Sequence, residues 1–158
     1  MTLAARGVVA THRPFPVVFI MSLLAVLGIG AIGGGLAMIF GVGGESMMPD
    51  EYLEALPLVD NWVVPGLVLL IVFGFGSLIL LYGVWRRPRW SWLGWLERAT
   101  GHHWSWFGTI LLGVGHMIWI TLELVSIPLS ILMPIFGAVG LALALLPFLT
   151  SVKEYLAT

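Results

Sequence analysis

Three polar side chains spaced seven residues apart are the groups in this sequence best placed to do chemistry. They are Thr109, His116 and Glu123, and they lie within one otherwise apolar stretch. Seven residues are close to two turns of an α-helix, so a helix through this stretch puts all of them on one face. Such a row can relay a proton or a cation, and it can also hydrogen-bond neighbouring helices. We call this row the polar stripe and predict a structural role for it, with the relay as the alternative.

The surroundings of the polar stripe favour the structural interpretation. His116 lies roughly 16 Å along a helix that begins near Ser105, close to the midplane of a bilayer, and Glu123 lies roughly 10 Å further on. No Lys or Arg falls on the outer side of the predicted spans, so Glu123 has no basic side chain to pair with there. Two ionisable residues are few for a transport path, and no other predicted span supplies an acidic partner.

Other familiar chemistry finds no support in the sequence. Cys is absent, which removes disulfides, thiol catalysis and Cys-type zinc sites. His102 and His103 are adjacent and point in different directions, whereas a metal site needs three or four convergent ligands. A bis-histidine haem needs two histidines at mid-membrane depth, and only His116 qualifies. Because no catalytic motif occurs, we predict neither an enzyme nor a resident metal or cofactor.

The composition requires lipid rather than water as the solvent. Hydrophobic residues make up 59% of the 158-residue chain and charged residues only 9%, against roughly 25% charged residues in a soluble domain. The net charge is −1, so no basic field favours nucleic acid as a partner. We predict a single all-α domain, an integral membrane four-helix bundle with a kink at Pro147. The predicted spans are residues 16–42, 63–84, 105–127 and 134–153.

The distribution of charge sets the predicted orientation of the bundle. All 7 Lys and Arg residues fall before the first span, between the second and the third, or at the end of the fourth. Basic residues are retained on the cytoplasmic side of a membrane. We therefore predict that both termini are cytoplasmic and that the loop 43–62 is external. Residues 49–57 are expected to form one or two helical turns in that loop.

Tryptophans and arginines cluster at the predicted cytoplasmic boundary, where an indole buries its ring and keeps its N–H wet. The predicted interface anchors are Trp85, Arg86, Arg87, Trp90, Trp92, Trp95 and Arg98. Within this cluster we expect a short interfacial helix over residues 91–100, with Ser91 as its N-cap and Gly101 just past its end. The residues expected to face lipid are Trp92, Leu93, Trp95 and Leu96, and those expected to face water are Glu97 and Arg98. The predicted role is an anchor, and a lipid-sensing or docking element is the alternative.

Small residues in the first span are expected to bring helices together. Gly28, Gly30 and Gly33 match G-x-G-x-x-G, but a dinucleotide site needs a strand and a cytosolic helix, and this match lies in mid-membrane. Gly33, Ala37 and Gly41 recur every four residues and form a ridge that another helix can approach closely. We predict that this ridge packs inside the bundle, with homodimerisation as the alternative.

Two stretches of the sequence resemble a loose set of small four-span prokaryotic membrane proteins with no assigned biochemistry. One is residues 48–67, with the run NWVVPGL, and the other is residues 116–120, HMIWI, with Glu123 after it. The resemblance implies a multi-pass topology in a prokaryotic cytoplasmic membrane. It implies nothing about activity and assigns no functional residue.

The sequence as a whole predicts an accessory or structural membrane protein. It would pack with itself or with a membrane partner, or bind lipid or another hydrophobe. The first alternative is a minimal proton-coupled transporter or channel, assembled as an oligomer around the polar stripe. The second is a haem- or quinone-linked redox subunit. The expected partners are membrane lipids, another membrane protein or further copies of the chain.

Overall fold

The computed structural model describes residues 13–42, 60–126 and 130–158, and the regular secondary structure in these ranges is helical. The helical turns expected over residues 49–57 lie outside the described residues. Three helices are each long and apolar enough to cross a membrane. The helices are α1 (Phe15–Phe40), α2 (Val63–Arg86), α3 (Gly94–Thr100), α4 (Trp104–Ser126), α5 (Leu132–Leu145) and α6 (Thr150–Tyr155).

The first span, α1, begins and ends where local backbone chemistry dictates. Pro16 lies in its first turn, where a missing backbone N–H breaks no helical hydrogen bond. The helix ends at Phe40 because Gly41 adopts a left-handed conformation with φ of 64° and donates its N–H to the carbonyl of Ala37. Gly41 therefore terminates α1. The predicted ridge required Gly41 to lie on a helical face, and it does not.

The second span, α2, is not α-helical throughout. Just before the helix, Asn61 Oδ1 accepts a hydrogen bond from the N–H of Val63 at 3.1 Å, and Arg87 ends the helix in a left-handed conformation with φ of 49°. Between these ends, Leu69–Phe75 forms a π-helix. A π-helical segment widens the turn and rotates the residues after it relative to an ideal α-helix. This rotation was not expected, because the sequence of the segment is uniformly apolar.

The predicted fourth span is interrupted. The helix α5 begins at Leu132 rather than at Pro134, which lies in its first turn. A 3-10 turn at Leu146–Phe148 contains Pro147 and is followed by extended backbone at Leu149 before α6. Proline lacks the N–H that a continuous helix needs, so the single helix expected over residues 134–153 is a helix, a turn and a second helix.

Helices α1 and α2 approach each other through glycines. A Cβ atom added at Gly35 would lie 2.7 Å from the carbonyl oxygen of Gly66, and one added at Gly66 would lie 2.9 Å from the carbonyl oxygen of Gly35. Gly28 and Ala31 are buried on the same face of α1, because positions 28, 31 and 35 follow the helical repeat. This close approach lets van der Waals packing hold the two apolar helices together in lipid.

The predicted ridge of Gly33, Ala37 and Gly41 is therefore wrong as an intrachain contact. Gly33 and Gly41 are exposed, and a Cβ at either would meet nothing within 4 Å among the described residues. Ala37 is half-buried. Gly33 lies two residues from Gly35 and so about 200° around the helix, on the opposite side from α2.

The short interfacial segment follows the prediction at its end and departs from it at its start. It comprises a 3-10 turn, Ser91–Leu93, followed by α3, and it ends at Gly101 in a left-handed conformation with φ of 68°. Ser91 lies inside the turn, and its side chain forms no capping hydrogen bond. Trp92 and Trp95 are exposed, as expected. Leu93 and Leu96 instead pack against the core, because one face of this segment lies on the bundle.

Candidate functional site

A pocket of about 310 Å³ opens between α1, α2, α4 and α5. Its walls are mostly apolar, with Leu27 from α1, Leu69 from the π-helical segment of α2 and Phe136 from α5. His116, Trp119, Glu123 and Ser130 bring polar groups to the lining. A mainly apolar cavity with a few convergent polar groups is the usual form of a small-molecule site.

His116 is the least satisfied polar side chain of the pocket. Only 2% of the residue is exposed, and neither imidazole nitrogen has a well-formed hydrogen bond to the described residues. The backbone of Phe136 is the polar group that faces the ring. The rings of Phe73 and Phe136 stand edge-on to the imidazole, with centroids 5.0 and 6.1 Å away. Gly140 leaves room for it, since a Cβ there would lie 3.1 Å from His116 Cδ2.

Glu123 is already held by a neighbour on its own helix. Trp119 Nε1 donates a hydrogen bond of 2.6 Å to Glu123 Oε1, and the two residues are one helical turn apart. Glu123 is half-buried and lines the same pocket as His116. The indole therefore fixes one carboxylate oxygen, and the carboxylate cannot turn freely towards His116.

The polar stripe divides into two parts. His116 and Glu123 share the pocket, whereas Thr109 is buried elsewhere on α4 and is not in the pocket lining. The Thr109 hydroxyl donates to the carbonyl of Ser105 at 2.7 Å. This bond to the preceding turn satisfies the hydroxyl donor within α4, so Thr109 does not donate into the pocket.

Sequence reasoning missed two polar residues of the pocket lining and one aromatic residue that packs against that lining. Trp119 stands four residues before Glu123, and that spacing was a usable signal for a hydrogen bond along one helix. Ser130 lies in the loop before α5. Its position in the pocket lining depends on the course of that loop, which the sequence does not predict. Phe73 contacts both His116 and Trp119, at centroid distances of 5.0 and 5.8 Å. Phe73 lies in the π-helical segment, and no feature of the sequence predicts that segment.

Two glycines of α1 form part of the pocket wall. Gly30 and Gly34 both line it. A Cβ at Gly30 would lie 3.6 Å from Phe136 Cζ, which is ordinary contact. A side chain larger than a methyl group at this position would project into the cavity. Gly33, on the same helix, meets nothing within 4 Å among the described residues and provides a matched position outside the pocket.

The histidines near the start of α4 are structural. His103 is buried, and its Nε2 donates to the carbonyl of Pro88 at 3.0 Å. Its Nδ1 accepts from the Ser105 hydroxyl at 2.8 Å and from the Ser105 backbone N–H at 3.3 Å. His102 Nδ1 lies 2.7 Å from the carbonyl oxygen of Thr100. In the part of the chain that the structure describes, no three His, Asp or Glu residues are grouped as metal ligands.

Burial controls the charge state of His103. Loss of water around the ring lowers its pKa below the usual 6.5, and this effect outweighs the hydrogen bond to Pro88 and the charge of Glu97. Glu97 was expected to face water, but its carboxylate lies 3.7 Å from His103 Nε2. Arg87 and Arg89 lower the His103 pKa further through charge repulsion.

The predicted interface anchors do not form one uniform group. Trp85, Arg86, Arg87, Trp92, Trp95 and Arg98 are exposed. Trp90 is half-buried and stacks on Trp92 and on the buried Trp104, with centroid separations of 5.8 and 4.6 Å. Trp104 Nε1 donates to the carbonyl of Pro88 at 3.1 Å. This stack ties the loop after α2 to the start of α4.

The chain matches no known family model, no curated protein and no solved structure.

Proposed function

We propose that this protein binds an apolar molecule with a hydrogen-bonding group at one end, in the pocket beside His116. The observation that carries the proposal is a buried imidazole with two unsatisfied nitrogens in a mainly apolar cavity of about 310 Å³. An unsatisfied buried polar group costs about 1–3 kcal/mol. A ligand hydroxyl or carbonyl would recover that cost, since a neutral imidazole offers one donor and one acceptor.

The same proposal places the protein in a prokaryotic cytoplasmic membrane as a four-span bundle. The apolar segment Leu132–Phe148 is shorter than the other spans, and its 17 residues are at the lower limit for a membrane crossing. Retention of basic residues in the cytoplasm puts Arg13, the Arg86–Arg98 region and Lys153 on that side. The pocket would then open in the outer half of the bundle, with surrounding lipid as a source of apolar ligands.

A proton or cation relay remains the second candidate, because His116 and Glu123 line one pocket. The hydrogen bond from Trp119 to Glu123 and the apolar character of the walls favour ligand binding over a relay. A proton path needs a continuous chain of hydrogen-bonding groups or water, and apolar walls interrupt such a chain.

A pair of glycine substitutions on α1 tests the proposed ligand site. Gly30→Leu should fill the pocket, whereas Gly33→Leu makes the same change where no described neighbour lies within 4 Å. The full chain is purified in mild detergent and examined by native mass spectrometry. We expect a small apolar molecule to remain bound to the wild type and to Gly33→Leu, and to be absent from Gly30→Leu. Retention of the same molecule by Gly30→Leu, or its loss from both variants, would contradict the proposal.

A further inference from the structure

A second depression lies where α2 ends, remote in sequence and in place from the His116 pocket. Its volume is about 490 Å³, and it is lined by Arg13, Trp85, Arg86, Arg87 and Tyr155. Three parts of the chain build it: the segment just before α1, the end of α2 and the end of α6. Arg13 Nη2 donates to the carbonyl of Trp85 at 3.3 Å, which joins the start of α1 to the end of α2.

Arg86 and Arg87 are exposed to solvent, and each guanidinium lies beside an aromatic ring. Arg87 occupies a left-handed conformation with φ of 49°, which is uncommon for a residue other than glycine, asparagine or aspartate. Its Nη1 donates to the carbonyl of Tyr155 at 3.1 Å, and its guanidinium lies 4.6 Å from the centre of the Tyr155 ring. The Arg86 guanidinium lies 5.7 Å from the Trp85 ring. A guanidinium has five N–H donors, so most of those on Arg86 and Arg87 are left for a ligand.

Arg86 and Arg87 have no acidic side chain as a partner in the described ranges. In those ranges, no Asp or Glu carboxylate lies within 4.0 Å of the guanidinium nitrogens of either residue. Neighbouring guanidinium groups repel one another when no anion separates them. The planar guanidinium matches the oxygens of a phosphate group through paired N–H···O bonds. The arrangement therefore suits a phosphate.

We propose that this depression binds the phosphodiester headgroup of an anionic phospholipid. Exposed apolar side chains on the same two helices, Phe15 and Phe19 of α1 and Ile79 of α2, offer a surface for acyl chains beside the charged group. Trp85 is exposed at the end of α2. Tryptophan side chains are enriched at the level of the lipid headgroups. Basic pockets at helix ends on one side of a membrane are suited to anionic headgroups.

Native mass spectrometry of the full chain in mild detergent tests this site with three additives. They are dioleoyl phosphatidylglycerol, dioleoyl phosphatidylcholine and inorganic phosphate. We expect the wild type to retain one phosphatidylglycerol, with a preference over phosphatidylcholine on the order of tenfold. Inorganic phosphate at millimolar concentration should not displace the lipid. Displacement would identify a site for free anions, and equal retention of the two lipids would overturn the proposal.

Substitutions locate the effect at the depression. The variant that combines Arg86→Gln with Arg87→Asn should lose the preference for phosphatidylglycerol, and asparagine tolerates the left-handed backbone at position 87. Arg98→Gln removes an exposed charge on α3, outside the depression, and should retain the preference. An equal loss in Arg98→Gln would show diffuse attraction to the basic face and contradict the site. If the combined variant does not fold, Arg86→Gln alone replaces it in the test. We then expect a weaker preference for phosphatidylglycerol over phosphatidylcholine than in the wild type, and an unchanged preference would contradict the site.

Discussion

Of the histidines that the structure describes, His103 and His116 are buried, and their rings differ in hydrogen bonding. His103 has partners on both nitrogens, from Pro88 and Ser105, whereas His116 has no well-formed partner among the described residues. A fully partnered buried ring is part of the scaffold, whereas an unpartnered buried ring keeps an unused donor and an unused acceptor. The sequence separated the two histidines by depth, with His103 at the interface and His116 near the midplane, but only the structure shows which ring has partners.

Loss of stability at mildly acidic pH is the expected consequence of the His103 environment. Its pKa in the folded protein is lowered from 6.5 by burial, so the unfolded chain binds the proton more readily. The stabilisation is complete above pH 6.5 and is lost as the pH falls below 6.5 towards the folded pKa. Protonation also removes the acceptor that Nδ1 offers to Ser105.

Thermal unfolding of the detergent-solubilised protein between roughly pH 5 and pH 8 measures this dependence. The control is His103→Gln, whose amide keeps a donor and an acceptor but does not titrate. We expect the midpoint of the wild type to fall more steeply with decreasing pH than that of the variant. Parallel curves for the two proteins would show that His103 does not control the acid response.

Substitution of the ionisable pocket residues separates ligand binding from a relay. His116→Gln and Glu123→Gln keep hydrogen-bonding groups but remove titration. We expect proton flux into liposomes to stay at the level of empty vesicles for the wild type and for both variants. A wild-type flux that both substitutions abolish would instead establish the relay.

At the scale of elements, the contact between α1 and α2 depends on one face of α1. A Cβ at Gly35 would come within 2.8 Å of the backbone nitrogen of Leu70, so the helices must separate to accept it. We expect Gly35→Ala to lower the free energy of unfolding by about 1–3 kcal/mol through overpacking. Gly33→Ala adds the same methyl group on the open face and should be neutral or stabilising by up to about 1 kcal/mol through helix propensity.

Thermal or denaturant unfolding of the two variants in the same detergent gives the comparison. The difference in the free energy of unfolding between the two variants cancels the effects of detergent and of replacing a glycine in a helix. A loss of stability in Gly33→Ala equal to that in Gly35→Ala would mean that the exposed face of α1 is also an interface, as in a homodimer.

At the scale of the whole molecule, the orientation in the membrane can be read by labelling. The chain has no Cys, so a single introduced Cys is the only target for a thiol reagent. Asp60 and Ser91 are both exposed and flank opposite ends of α2. We expect Asp60→Cys to react with an impermeant maleimide added outside intact cells, and Ser91→Cys to react only after the membrane is opened. The reverse pattern would invert the proposed topology.

The sequence by itself determined the features that depend on local chemistry. Apolar runs defined the three helices long enough to cross a membrane. Gly101 placed the end of α3 and Pro147 the break after α5, because left-handed backbone and a missing N–H act within one turn. The spacing of the polar stripe predicted that His116 and Glu123 share one face of a helix, and both line the pocket.

Only the tertiary structure decided which faces meet. Helix α1 is apolar all round, so its sequence carries no stripe that distinguishes the Gly35 face from the Gly33 face. In lipid both faces are equally well solvated, and the choice depends on the shape of the neighbouring helix. The π-helical turn of α2, the hydrogen bond from Trp119 to Glu123 and the position of Ser130 arise from the same packing. The pocket therefore exists because four helices fit together in one way, which hydropathy and spacing along the chain do not encode.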